Sequence, residues 1–159
     1  MERRTFYNEI ITDHNIDPLH KYNMIDANLK GKSSVEHCQV ADVGDVMYLR
    51  GVNPSCGDDI TLQLRLSEDG STIEDGSFVG DGCAISQASA DIMLDMIIGR
   101  SVEEALSLKD KFLGMIKGTA SEEDIEALEE AGALQDISHM PSRVKCAVLG
   151  WHTLEEILK

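Results

Sequence analysis

The run Ile60-Thr61-Leu62-Gln63-Leu64-Arg65-Leu66-Ser67-Glu68-Asp69-Gly70 alternates large apolar residues with polar ones before ending on two turn formers. A period of two belongs to a strand with one face on a core and the other toward water. Asp69-Gly70 tolerates the positive φ of a tight hairpin, so the chain is expected to return antiparallel over Ser71 to Val79, with Ile73 and Phe78 as core positions. Upstream, Val46-Met47-Tyr48-Leu49-Arg50 also has strand character. Three antiparallel strands follow.

Beyond the hairpin the period changes from two to that of a helix. Ile85, Ala88, Ile92, Met93, Met96 and Ile97 recur at helical spacing over about Ala84 to Ile98, with Gln87, Asp91 and Asp95 on a polar face and Gly99 as the stop. Met93 and Met96 read as core. Ser101-Val102-Glu103-Glu104 is a capping pattern for a helix reaching about Ile116, and Ser121 before three acidic residues caps another near Ile125 to Glu130. Val144, Ala147, Val148, Trp151, Leu154 and Leu158 define a last amphipathic helix, which puts Cys146 in its first turns after Pro141. At the other end, Thr5 to His14 reads as a short helix halted before Asp17-Pro18, packing on the core as a lid. The polar stretch His20 to Gly44 reads as loop. Strands followed by helices predict an α+β fold, a small antiparallel sheet of about three strands covered on one face by helices.

The chain has 159 residues, 42% of them hydrophobic, enough for one well-buried core, and a single domain over 1–159 is expected. Its 14 basic against 29 acidic residues give a net charge of -15, which repels phosphate backbones and anionic lipid, so nucleic-acid and membrane partners are disfavoured. There is no apolar run of the roughly 18 residues that a membrane span needs, and Met1-Glu2-Arg3-Arg4 is not followed by the apolar stretch of a secretory signal. A soluble cytoplasmic protein is the expectation.

Four cysteines remain to be explained: Cys38, Cys56, Cys83 and Cys146. The chain is not a small secreted scaffold, which favours metal binding or thiol chemistry over disulfides. Glycine flanks Cys56 and Cys83, leaving the backbone open to an ion or a partner, and a helix is expected to begin just after Cys83, where its free amides favour the thiolate. Cys146 gains similarly from its helix start and from Arg143 and Lys145. Asp58, two residues after Cys56 in extended chain, can point to the same side. Cys56, Asp58, Cys83 and Cys146 together would form one tetrahedral site, with about two negative charges left over around a divalent ion for Arg143 or Lys145 to offset. Such a donor set suits zinc, or iron in an iron–sulfur cluster, and not magnesium or calcium. The plain alternatives are packed or idle thiols and a turn-stabilising Asp58. Cys38, in Glu36-His37-Cys38, reads as an idle thiol. His14, His20, His139 and His152 read as surface or helix-end residues.

Tyr7, Asp13-His14 and Pro18, then Asn53-Pro54 with Cys56-Gly57-Asp58, then Phe78, Gly80, Gly82-Cys83, Ile85-Ser86 and Ala88-Ser89, and finally Arg143, Lys145-Cys146, Leu149 and Trp151 form a pattern running almost end to end. In it the chain resembles the IscU/NifU N-terminal family of iron–sulfur cluster assembly proteins, more closely its SufU-like branch. The resemblance implies a metal or sulfur site at Cys56, Asp58, Cys83 and Cys146, with zinc in the resting state. It implies a protein that accepts persulfide sulfur from a pyridoxal-phosphate cysteine desulfurase and serves downstream iron–sulfur assembly or apo-proteins. Cys56 is the expected acceptor, because its Pro-Ser-Cys-Gly loop can release a metal bond more cheaply than a thiol fixed on a helix. Two alternatives use the same residues: a scaffold that assembles a [2Fe-2S] cluster and hands it to apo-proteins, and a purely structural zinc module.

Two features depart from the IscU branch. Lys145 stands where scaffold members carry histidine, and a charged lysine cannot replace imidazole as a ligand. The segment from about Gly118 to His139 resembles the extra helix of SufU-like members, and the Leu-Pro-Pro-Val-Lys chaperone motif is missing.

Overall fold

The computed structural model of the chain describes residues 3–24, 41–43, 45–54 and 56–158. In chain order its elements are α1 (Arg3–Ile16), β1 (Ala41–Val43), β2 (Val46–Asn53), β3 (Asp58–Leu66), β4 (Ile73–Asp81), α2 (Ala84–Ile97), α3 (Val102–Lys117), α4 (Glu122–Ala127), a 3-10 segment (Glu129–His139) and α5 (Pro141–Leu158). Among the described residues no helix is long and apolar enough to cross a membrane.

The alternating run forms β3, which pairs antiparallel with β2 and β4 in the sheet order β1-β2-β3-β4. The β3–β4 turn is knitted by Asp69, whose Oδ1 accepts from Ser67 Oγ at 2.6 Å, Ser71 Oγ at 2.7 Å and Ser71 N at 3.0 Å. The three expected strands are joined by β1, a three-residue edge strand in a stretch whose polarity reads as loop. Its pairing, Ala41 with Tyr48, is made by the backbone, and a hydrophobic period does not register that.

Ile60, Leu62 and Leu64 of β3 and Ile73 and Phe78 of β4 form one core with Ile92, Met93, Leu94 and Ile97 of α2 and Trp151 and Leu154 of α5. Each such side chain contributes roughly 1.5–3 kcal/mol on burial. The caps read from sequence are present: Ser101 Oγ accepts from Glu104 N and Ser121 Oγ from Asp124 N, each at 3.1 Å. The helix expected near Ile125 to Glu130 starts earlier, at Glu122, and passes into the 3-10 segment.

The face of β3 expected to be wet is wet only in part. Arg65 stays half-exposed, but Thr61 and Gln63 are buried, Gln63 because residues 20–24 run beside β4 and reach over it. Phe78 N donates to His20 O at 2.9 Å, Met24 N donates to Gln63 Oε1 at 2.7 Å, and Gln63 Nε2 donates to Asn23 Oδ1 at 2.9 Å. The buried amide thus finds partners in place of water.

Asp91, on the expected polar face of α2, is also fully buried, since α1 lies across it with Ile10 and Ile11 against the core. His14 of α1 joins three elements: its Nδ1 lies 2.5 Å from Asp91 Oδ2, and its Nε2 meets Glu130 Oε1. The Asp91 hydrogen bond, opposed by burial and reinforced by Glu130, raises the His14 pKa to about 9. Because the folded value lies above the unfolded value of about 6.5, the stabilisation is complete below that pH and is lost as pH rises through about 9. In denaturant titrations, wild type should exceed His14→Gln by on the order of 1–3 kcal/mol near pH 6, and the gap should close above about pH 9.5. A gap that is the same at both ends would contradict the clamp.

Candidate metal centre

β2 ends and β3 begins on the facing pair Asn53 and Asp58, so four residues must reverse the chain. Cys56 N donates to Asn53 O at 3.2 Å, and Gly57 takes φ +71, a left-handed conformation that costs a residue with a Cβ roughly 1 kcal/mol. The turn leaves Cys56 half-exposed and delivers Asp58 fully buried.

A buried carboxylate needs donors. Asp58 Oδ1 accepts from the backbone N of Cys83 at 2.8 Å, and Oδ2 from Asn53 Nδ2 at 3.3 Å. Cys83 is the N-cap of α2, as expected, its sulfur accepting from Ser86 N at 3.4 Å. The loop before it approaches so closely that a Cβ on Gly82 would lie 3.0 Å from Asp58 Oδ1 and 3.1 Å from Ser86 Oγ, and glycine leaves that space open.

The third segment arrives on α5, which is tied to α2 by a short relay. Trp151 Nε1 donates to Ser89 Oγ at 3.2 Å, and Ser89 Oγ donates to Ala147 O at 2.6 Å. The Trp151 ring also stacks on Phe112, with centroids 4.5 Å apart and planes 12° from parallel. Next to this anchor, Cys146 is fully buried with its sulfur 3.1 Å from that of Cys56. One ligand atom from each of Cys56, Asp58 and Cys146 lies within 4.8 Å of the others. The Cys83 sulfur stands outside that mutually close trio, turned onto the α2 amide, while its backbone N–H meets Asp58.

Burial pushes the Cys146 thiol up, beyond the ordinary thiol range, and its contacts with Cys56, Cys83 and Asp58 push the same way. This corrects the expectation that its helix start, Arg143 and Lys145 would favour its ionised form. Cys146 lies past the first turn of α5, both cations are exposed, and the ligand atoms meet N–H groups: Cys83 N, Ser86 N and Asn53 Nδ2. A divalent ion among these groups would cancel about two of the four ligand charges, and the N–H groups face the remainder. Free thiols with one carboxylate fit zinc, or iron bound through sulfur, far better than an oxygen-seeking cation.

Of the other candidates, Cys38 lies outside the described residues. His14 and His20 face Asp91 and Asp95 of α2, and His139 and His152 are exposed. Asn53 also faces these groups, and the sequence presents it only as part of Asn53-Pro54, with no signal that its amide turns inward.

The family model for the NifU-like N terminal domain matches residues 6–147. The zinc-dependent sulfurtransferase SufU of Bacillus subtilis is 37% identical over 152 residues, 96% of this chain and 88% of that protein. The iron–sulfur cluster assembly scaffold protein IscU of Thermotoga maritima is 48% identical over 109 residues, 69% of this chain and 74% of that protein. Among solved structures, an iron–sulfur cluster assembly scaffold protein for the SUF system from Fervidobacterium islandicum superposes with a TM-score of 0.74 at 32% identity, covering 98% of both chains. A NifU-like N-terminal protein from Brucella abortus, at 17% identity and a TM-score of 0.69 over 98% of this chain and 97% of that one, shares the fold.

Proposed function

This chain belongs to the NifU-like N-terminal domain family, and we propose that it is a zinc-binding sulfur acceptor of the SufU type, taking persulfide sulfur from a cysteine desulfurase for iron–sulfur cluster assembly. The observation that carries the reading is the convergence of Cys56, Asp58 and Cys146 within 4.8 Å, with Cys83 joined to Asp58 through its backbone. Cys56, Asp58, Cys83 and Cys146 would hold the metal, the Cys83 sulfur turning from Ser86 N to complete the set. Zinc, when bound, keeps coordinated thiols deprotonated at neutral pH. The cytoplasm, a reducing compartment, suits a centre built of free thiols.

Cys56 is the acceptor in this reading. Cys146 is buried on a helix and the Cys83 sulfur is engaged as a helix cap, whereas Cys56 sits half-exposed on a four-residue turn with Gly57 beside it. Its thiolate attacks the outer sulfur of the donor's Cys–S–SH. The donor S–S bond breaks, its cysteine leaves as thiolate, and a new S–S bond forms on Cys56, carrying the outer sulfur and its proton across with no net oxidation. The Asp58 carboxylate, oriented by hydrogen bonds at both oxygens, would hold or yield the fourth position.

The test is transfer of labelled sulfur from a persulfidated cysteine desulfurase, followed by mass spectrometry of this protein, beside anaerobic incubation with iron and sulfide. Gain of one sulfur with faster desulfurase turnover supports the reading. A stable cluster spectrum in zinc-free protein that gains no sulfur would establish the scaffold alternative instead.

A further inference from the structure

Asn53 occupies an unusual position for a neutral side chain. It is about nine-tenths buried at the end of β2, where an amide without partners costs roughly 1–3 kcal/mol. Its Nδ2 is 3.3 Å from Asp58 Oδ2 and 3.8 Å from the Cys146 sulfur, and its backbone O accepts from Cys56 N at 3.2 Å. One residue therefore touches three of the four proposed ligands, two of them through a single NH2 group with one hydrogen for each.

Its neighbourhood indicates what this does. The second Asp58 oxygen is held by Cys83 N, so Asn53 completes a two-point grip that fixes the orientation of the carboxylate. With Arg143 and Lys145 exposed, the amide dipole is one of the few positive groups aimed at the buried sulfur and oxygen. A donor hydrogen-bonded to a ligand fixes its direction and withdraws charge from it, which is how groups beyond the ligands set metal affinity.

From this we infer that Asn53 is a positioning residue of the centre, holding Asp58 and Cys146 in binding geometry through its side-chain amide. The inference rests on the metal-binding reading above. The alternative role is purely structural, Asn53 merely ending β2, and in that case any uncharged residue compatible with the turn would serve.

The experiment compares wild type, Asn53→Ala and Asn53→Asp by competition for zinc against a chromophoric chelator and by the absorption spectrum of the cobalt(II)-substituted protein at saturation. Asn53→Ala should weaken zinc binding by about 10- to 100-fold and alter the cobalt bands. Asn53→Asp keeps the shape but replaces the donor with an acceptor facing Asp58, so it should alter the cobalt bands as well. Because a buried charge disturbs the site in either role, the uncharged Asn53→Leu, of nearly the same shape but without the donor, decides the question if Asn53→Ala does not fold. Variants that bind zinc and display cobalt spectra as wild type does would overturn the inference alone. A wild-type protein that retains no zinc would overturn the inference and the reading beneath it together.

Discussion

Replacing Cys56 with alanine is expected to reduce sulfur transfer from a persulfidated desulfurase to background. Of the three cysteines at the centre, it alone sits on a turn outside any helix or helix cap. Releasing it from a bound metal would break one bond and turn a short loop about Gly57, already at φ +71, whereas moving Cys146 would require shifting α5 against its Trp151–Ser89 anchor. Cys83→Ala and Cys146→Ala, like Cys56→Ala, should lower metal affinity, since in the proposed centre each cysteine supplies a sulfur donor, but these two leave the acceptor thiol in place. Cys38→Ala should transfer at the wild-type rate. Mass spectrometry of the sulfurated protein decides: an added 32 Da on Cys56→Ala at normal rate would remove Cys56 from the acceptor role.

The second large effect concerns Trp151. Its ring is fully buried and stacked on Phe112, and its indole N–H begins the relay that joins α5 to α2. Truncation to alanine empties that space and should cost about 3–5 kcal/mol. Against a total stability on the order of 5–15 kcal/mol this is severe. Trp151→Phe retains most of the packing and loses one hydrogen bond, so its cost should be about 1 kcal/mol. Equilibrium unfolding in denaturant reads both values. A Trp151→Ala protein as stable as wild type would mean that the two helices bearing Cys83 and Cys146 are held together by something other than this contact.

What could be read from the residues follows the reach of each signal. The alternation at Ile60 to Ser67 and the helical stripe from Ile85 to Ile97 are local periods, and both elements form where those periods lie. Cap signals at Ser101 and Ser121 are local too, and they hold. The failures involve partners remote in sequence. Gln63 and Asp91 look solvent-facing by period, yet residues 20–24 and α1 cover them, and neither period contains any information about what crosses over it. The same limit applies at the centre. Spacing alone left a joint metal site one option among several, and the family resemblance singled out four positions. Only the fold shows that Cys83 meets Asp58 through its backbone while its sulfur faces Ser86, and that N–H groups of Cys83, Ser86 and Asn53 meet the ligand atoms.

The centre itself is tested most directly by X-ray absorption at the zinc edge on protein purified without chelators. The account predicts one zinc per chain with about three sulfur neighbours near 2.3 Å and one oxygen near 2.0–2.2 Å. A first shell of nitrogen and oxygen alone, or protein that carries no metal, would contradict it.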